Sequence, residues 1–135
     1  MQNLKKLSPA QFGHYREAGY VFPVDALSEQ SAAAFGRSFA GYEEQAKGQL
    51  ESAYRHKLHL VAPWAADLVR EPGILDAVED ILGPDILCWT TNLLVKDPGG
   101  RKYVSWHQDA SYWPLTPSKT VTVWLAIDDA DVDNG

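Results

Sequence analysis

The sequence predicts an α+β domain, helices first and strands after, on three observations. Up to about Gly83, apolar residues recur at helical intervals between capping and terminating residues. From Ile86 onward the chain is rich in β-branched and aromatic side chains. No repeat or low-complexity tract divides the 135 residues, of which 45% are hydrophobic and 22% charged, enough for one ordinary core. The expected organisation is a single domain, with residues 1–85 mainly helical and residues 86–135 the start of a β core.

The first helix is expected over Ala10 to Ala18. Ser8-Pro9 supplies the N-cap and first turn, Phe12 and Tyr15 sit at helical spacing, and Gly19 is the stop. After a brief extended piece, Tyr20 to Pro23, a second helix begins at Ser28 and runs to about Lys47. Its apolar face is Leu27, Ala34, Phe35, Phe39 and Tyr42, and Gly36 and Gly41 weaken its continuity. Ala65 to Leu82 reads as a helix in two pieces around Pro72. Ile74, Leu75, Val78, Ile81 and Leu82 recur at helical intervals, and Gly83-Pro84 terminates it.

Three strands follow, over Ile86 to Lys96, Tyr103 to Asp109 and Lys119 to Ile127, with the turn Asp97-Pro98-Gly99-Gly100 between the first two. Alternation puts Thr90, Asn92 and Lys96 on one face of the first strand and Trp89, Thr91, Leu93 and Val95 on the other, mostly apolar one. In the last strand Val121, Val123, Leu125 and Ile127 share one face, and Thr122, Trp124 and Ala126 the other. Three strands close neither a barrel nor a sandwich, so the β half reads as unfinished.

A net charge of −6, with Asp128, Asp129, Asp131 and Asp133 crowded together, opposes binding to nucleic acid or to an anionic membrane surface. Nothing in the sequence has the length and apolarity of a signal peptide or a membrane span, so the expected location is cytoplasmic. The lone Cys88, within Ile86-Leu87-Cys88-Trp89, is expected to be a buried, inert thiol.

The chemistry concentrates at His107-Gln108-Asp109. On a strand, side chains alternate, so the His107 imidazole and the Asp109 carboxylate share a face while Gln108 points away. Such a pair supplies two of the three ligands of a two-histidine, one-carboxylate facial triad, which leaves open positions on iron(II). Taken alone the tripeptide is weak, since four histidines in an aspartate-rich chain produce a surface His-x-Asp easily.

Its surroundings are more specific. Ser105-Trp106-His107-Gln108-Asp109, then Tyr112-Trp113-Pro114, then Val123 to Asp129 before Asn134-Gly135, closely resembles the iron-binding signature of phytanoyl-CoA dioxygenase-like enzymes. Asn92 to Pro98 resembles the strand and turn that precede that signature, and Gly19-Tyr20-Val21 the family's N-terminal segment. The resemblance implies helices followed by the first strands of a double-stranded β-helix, or jelly roll. It also implies a non-haem iron(II), 2-oxoglutarate-dependent dioxygenase in which His107 and Asp109 bind iron and Asn92 and Trp124 border the 2-oxoglutarate pocket. Dioxygen and a small-molecule substrate would be its other reactants, with ascorbate as a reductant. Retention of the carboxylate at Asp109 favours hydroxylation over halogenation. From the strand pattern alone, Trp124 fills a core as readily as it borders a cofactor, and the polar face of Asn92 equally suits a solvated sheet.

The family's second metal-binding histidine and its 2-oxoglutarate-binding arginine match no residue present. His14, His56 and His59 all precede the β elements. His56 and His59, three apart, imitate a helical metal site but have no carboxylate or cysteine nearby in sequence. Arg55, His56 and Lys57 read more simply as a solvated face than as an anion site. The chain is accordingly expected to be the N-terminal portion of an oxygenase and inactive by itself. The alternatives are a non-catalytic or partner-complemented binding module, which a C-terminal complementing chain would finish, and a cupin-like metal isomerase or hydrolase.

Overall fold

A computed structural model describes residues 3–46, 55–96, 99, 103–127 and 129–133. Its first helix, α1 (Pro9–Ala18), is fixed by local signals. Ser8 Oγ accepts from Gln11 N at 3.2 Å, Gln11 Oε1 accepts from Ser8 N at 3.0 Å, and Pro9 occupies the first turn. Gly19 ends α1 in the left-handed region, φ 82°, donating its N–H to Tyr15 O. α2 (Glu29–Gln45) starts from Ser28, whose hydroxyl accepts from Ser31 N, and it continues through Gly36 and Gly41 without a break. Phe35, Phe39 and Tyr42 are partly buried along it, whereas Ala34 faces solvent.

The two-piece helix is α3 (Pro63–Leu68), two residues earlier than the periodicity implies, and α4 (Pro72–Leu82), opened by Pro72 and closed by Gly83 at φ 94°. A 3₁₀ turn, Leu58–Leu60, precedes α3, and the main core joins the two. Leu58, 2% exposed, packs with Ala62 and Ala65, covered by Tyr42 of α2, Trp64 and Leu93. The Trp64 ring meets Phe39 and Tyr42 edge-on at centroid separations of 6.4 and 6.1 Å.

The chain's start is tied to α4 by an aspartate with no apolar role. Asp80, 3% exposed, accepts the backbone N–H of Lys5 at 2.7 Å through Oδ1, and those of Lys6 and Leu7 at 2.9 and 2.7 Å through Oδ2. Burial pushes its carboxyl up, but these donors and the Lys5 charge outweigh that and hold it below the ordinary 3.8. At the other end of α4, a Cβ on Gly73 would lie 2.0 Å from the Ala26 carbonyl oxygen, so only glycine lets the 20–27 segment cross there.

Beyond Gly83 the described residues form no strand ladder. One antiparallel bridge pairs His56 with Asn92, flanked by Lys57 N to Thr91 O at 2.7 Å and Leu93 N to Arg55 O at 3.0 Å. Exposure nonetheless alternates as a strand would have it: Thr91, Leu93 and Val95 are partly covered, and Asn92, Leu94 and Lys96 are open. Asp109 opens a second 3₁₀ turn, Asp109–Ser111, instead of ending an extended run. Cys88 is exposed, contrary to the expected buried thiol, because Leu87, Cys88 and Trp89 all face out where no second layer covers them. What burial its sulfur has pushes the thiol up, opposed by the charge of Arg70. The expected turn at Asp97, Pro98 and Gly100, the end of the second helix at Lys47, and Asp128, Asn134 and Gly135 lie outside the described residues. No helix among the described residues is long and apolar enough to cross a membrane.

Candidate functional site

His107 and Asp109 flank Gln108, whose φ −117° and ψ 123° are extended, so the two side chains emerge on the same side of the backbone. His107 Nε2 lies 3.1 Å from Asp109 Oδ1. On the other edge of the ring, Nδ1 lies 2.7 Å from the Ser105 carbonyl. A carbonyl only accepts, so Nδ1 carries a proton and Nε2 is the nitrogen turned toward the carboxylate. With an acceptor at each ring nitrogen, the protonated imidazole is favoured. The Ser105 carbonyl, helped by Asp109 and opposed by desolvation, holds His107 above its ordinary 6.5.

The second carboxylate oxygen has a separate partner, since Asp109 Oδ2 accepts from Thr122 Oγ1. The turn that Asp109 opens is closed by Ser111 N to Gln108 O and Tyr112 N to Asp109 O, and it brings the Tyr112 ring edge-on to the imidazole at 5.9 Å. An open cleft of about 280 Å³ beside the pair is lined by Val104, Ser105, Trp106 and His107. Of its lining, Trp106 is 98% exposed and Val104 is exposed as well, and Tyr112, edge-on to the imidazole, also faces solvent.

The other two predicted site residues are placed differently. Asn92 Oδ1 lies 2.7 Å from His56 Nδ1 and accepts from Thr90 Oγ1 at 3.3 Å. Trp124 is 63% exposed, two residues beyond Thr122. Among the described residues no hydrogen bond or ring contact joins Asn92 or Trp124 to the His107–Asp109 pair. His56 and His59 do not converge either, because His59 Nδ1 is 2.9 Å from Thr91 Oγ1 while His56 turns to Asn92.

The pair fits part of an iron site. Cis donors of an octahedral divalent ion, each about 2.1 Å from it, lie about 3.0 Å apart, close to the observed separation of 3.1 Å. The Nδ1–H to Ser105 bond is the orienting contact a ligating imidazole requires. A third donor does not join them: among the described residues no group of three His, Cys, Asp or Glu side chains gathers.

Sequence reasoning missed Thr122, the Ser105 carbonyl and the His56 contact to Asn92. Thr122 was within reach, since alternation already put it on Trp124's face. The other two depend on a backbone oxygen and on a pairing 36 residues apart, which periodicity does not encode.

Comparison with known proteins shows what the sequence is similar to. The bovine peroxisomal phytanoyl-CoA dioxygenase is 38% identical over 68 residues, covering 47% of this chain and 20% of that protein. A probable alpha-ketoglutarate-dependent hypophosphite dioxygenase of Stutzerimonas stutzeri is 31% identical over 77 residues, 57% of this chain and 27% of that protein. The matched stretch thus spans about a fifth to a quarter of each relative. No solved structure matches the chain. The family described as Phytanoyl-CoA dioxygenase (PhyH) matches residues 15–135, a span that takes in the end of α1, the later helices, the His56–Asn92 bridge and the His107–Asp109 pair, and the chain belongs to that family.

Proposed function

We propose that this chain carries the metal-binding portion of an iron(II)- and 2-oxoglutarate-dependent hydroxylase. The observation that carries the reading is the His107 Nε2 to Asp109 Oδ1 separation of 3.1 Å, with Nδ1 held by Ser105. In the proposed reaction 2-oxoglutarate, dioxygen and a substrate C–H give succinate, carbon dioxide and a C–OH. Iron(II), when bound, supplies the redox chemistry that couples the decarboxylation to the hydroxylation.

The chain's own residues have three tasks in this reading. His107 and Asp109 hold the ion through one nitrogen and one carboxylate oxygen. Asn92, whose Oδ1 is engaged by His56 and Thr90, turns its NH₂ donors toward a co-substrate carboxylate. Trp124, beside the small Ala126 and sharing a face with Thr122, forms an apolar wall. The strands that would complete a jelly roll around them belong to the same proposal.

The test is succinate formation by the full-length protein given iron(II), ascorbate and 2-oxoglutarate across a broad substrate panel. Turnover that requires iron and is lost in His107→Ala and Asp109→Ala supports the reading. Metal binding without any 2-oxoglutarate consumption would favour a cupin-like isomerase or hydrolase instead.

The exposed Trp106 and Tyr112 beside a two-donor site favour a second reading, a module whose site is completed by another polypeptide segment. A shift in size-exclusion volume when a C-terminal chain is added, with iron affinity rising in parallel, would distinguish it.

A further inference from the structure

We propose that Thr122 is a positioning residue that makes Asp109 a one-oxygen ligand, and so tunes which divalent ion the site accepts; this rests on the metal reading of the His107–Asp109 pair. The two carboxylate oxygens of Asp109 have separate roles. Oδ1 faces His107 Nε2 at 3.1 Å, and Oδ2 accepts the Thr122 hydroxyl from a segment 13 residues further along. A carboxylate can swing about its χ2 bond to chelate an ion with both oxygens. With Oδ2 engaged by a hydroxyl, that swing costs a hydrogen bond to a charged acceptor, which is among the stronger kinds.

The consequence is selectivity. Small six-coordinate ions of the iron(II) and manganese(II) kind accept single oxygens at short distances, whereas calcium is larger and favours two-oxygen carboxylates in sites of six to eight ligands. Withholding Oδ2 therefore disfavours calcium more than manganese. Thr122 is itself exposed, so its role does not come from filling a core.

The experiment measures manganese(II) and calcium binding to the full-length protein by calorimetry, with the infrared carboxylate stretches of the manganese complex as the structural readout. Thr122→Val keeps the shape and removes the hydroxyl, and Thr122→Ser restores it. The expected result is manganese affinity about tenfold weaker in Thr122→Val, in the range typical when an outer partner of a metal ligand is lost. The calcium-to-manganese ratio should rise, the splitting of the carboxylate stretches should move toward a two-oxygen mode, and Thr122→Ser should stay within about twofold of wild type. Unchanged affinity, ratio and stretches in Thr122→Val, with wild-type binding that depends on His107 and Asp109, would overturn the role of Thr122 alone. Binding indifferent to His107→Ala and Asp109→Ala would overturn the metal reading and this proposal with it.

Discussion

Replacing Asp80 should show how firmly the chain's start is fixed to α4. In Asp80→Ala three backbone donors lose a charged acceptor, but not equally. The Leu7 N–H is buried and is left unsatisfied, at about 1–3 kcal/mol. The N–H groups of Lys5 and Lys6 are only partly buried and regain water, so each loses a net of about 1 kcal/mol. The total is about 3–5 kcal/mol, a large share of a small domain's stability. Asp80→Asn keeps one oxygen for Lys6 and Leu7 and sets an NH₂ against Lys5 N, so it should cost about 1–2 kcal/mol.

The pH dependence separates charge from shape. Asp80 is held below its ordinary 3.8 in the folded chain, so its ionised form contributes stability that is complete above 3.8 and is lost as pH falls through the lower native value. The advantage of wild type over Asp80→Asn, from urea denaturation at a series of pH values, should be constant near neutrality and shrink on acidification below 3.8. A gap that stays constant down to pH of about 2 would refute the argument, as would Asp80→Asn matching wild type at neutrality. Lys5→Ala removes a surface ammonium-to-Glu79 bridge and only the smallest of the contributions that lower the Asp80 carboxyl, while keeping the backbone N–H, so it should shift the midpoint far less than Asp80→Ala.

Gly73→Ala should destabilise by about 1–3 kcal/mol, because the new methyl meets a backbone oxygen that cannot rotate away. Gly36→Ala, in open space on α2, should stabilise by about 0.5–1 kcal/mol, and thermal melts of the two should move in opposite directions. Leu58→Ala should cost about 2–5 kcal/mol and speed amide hydrogen exchange at Lys57 and Leu93, whose N–H groups bridge to Thr91 and Arg55. Asn92→Ala in the full-length protein should raise the KM for 2-oxoglutarate about tenfold or more with little change in kcat, as expected when one hydrogen bond to a carboxylate is lost. An equal fall in kcat and kcat/KM would instead remove Asn92 from co-substrate binding.

The features legible in the sequence are those in which cause and effect lie within a few residues. Ser8 as the N-cap of α1, Ser28 at the start of α2, the division of the later helix at Pro72 and Gly83 at its end act over about one turn, and these appear as read. His107 and Asp109 belong to the same class, because two positions of extended backbone suffice to bring their side chains together. Asp80 escaped notice because, between Glu79 and Ile81, it looks like an ordinary polar position on an amphipathic helix, and its partners lie 73 to 75 residues earlier. Gly73 escaped for the same reason, as Ala26 is remote in sequence. Cys88 was misjudged because an apolar run implies burial only if a second layer exists to cover it, and Leu87 and Trp89 are also open.

The helical half also bears on the site through Lys57. This residue sits at φ 53°, a left-handed conformation that costs a side-chain-bearing residue about 1–2 kcal/mol. Contacts on both sides hold it there: its N–H donates to Thr91 O, and the neighbouring Leu58 is the most deeply buried side chain of the core. The reversal at Lys57 lets His56 point toward Asn92 while His59, three residues later, reaches Thr91 with both its backbone N–H and its ring. Adjacent residues of the 86–96 segment are thus gripped by two histidines of the helical half. A slip of one residue would exchange the faces of Asn92 and Leu93, withdrawing the amide from its exposed side and expelling Leu93 from the core. Burial of Leu93 and the orientation of Asn92 are therefore one constraint, which ties a packing requirement of the helices to the direction in which the Asn92 amide points.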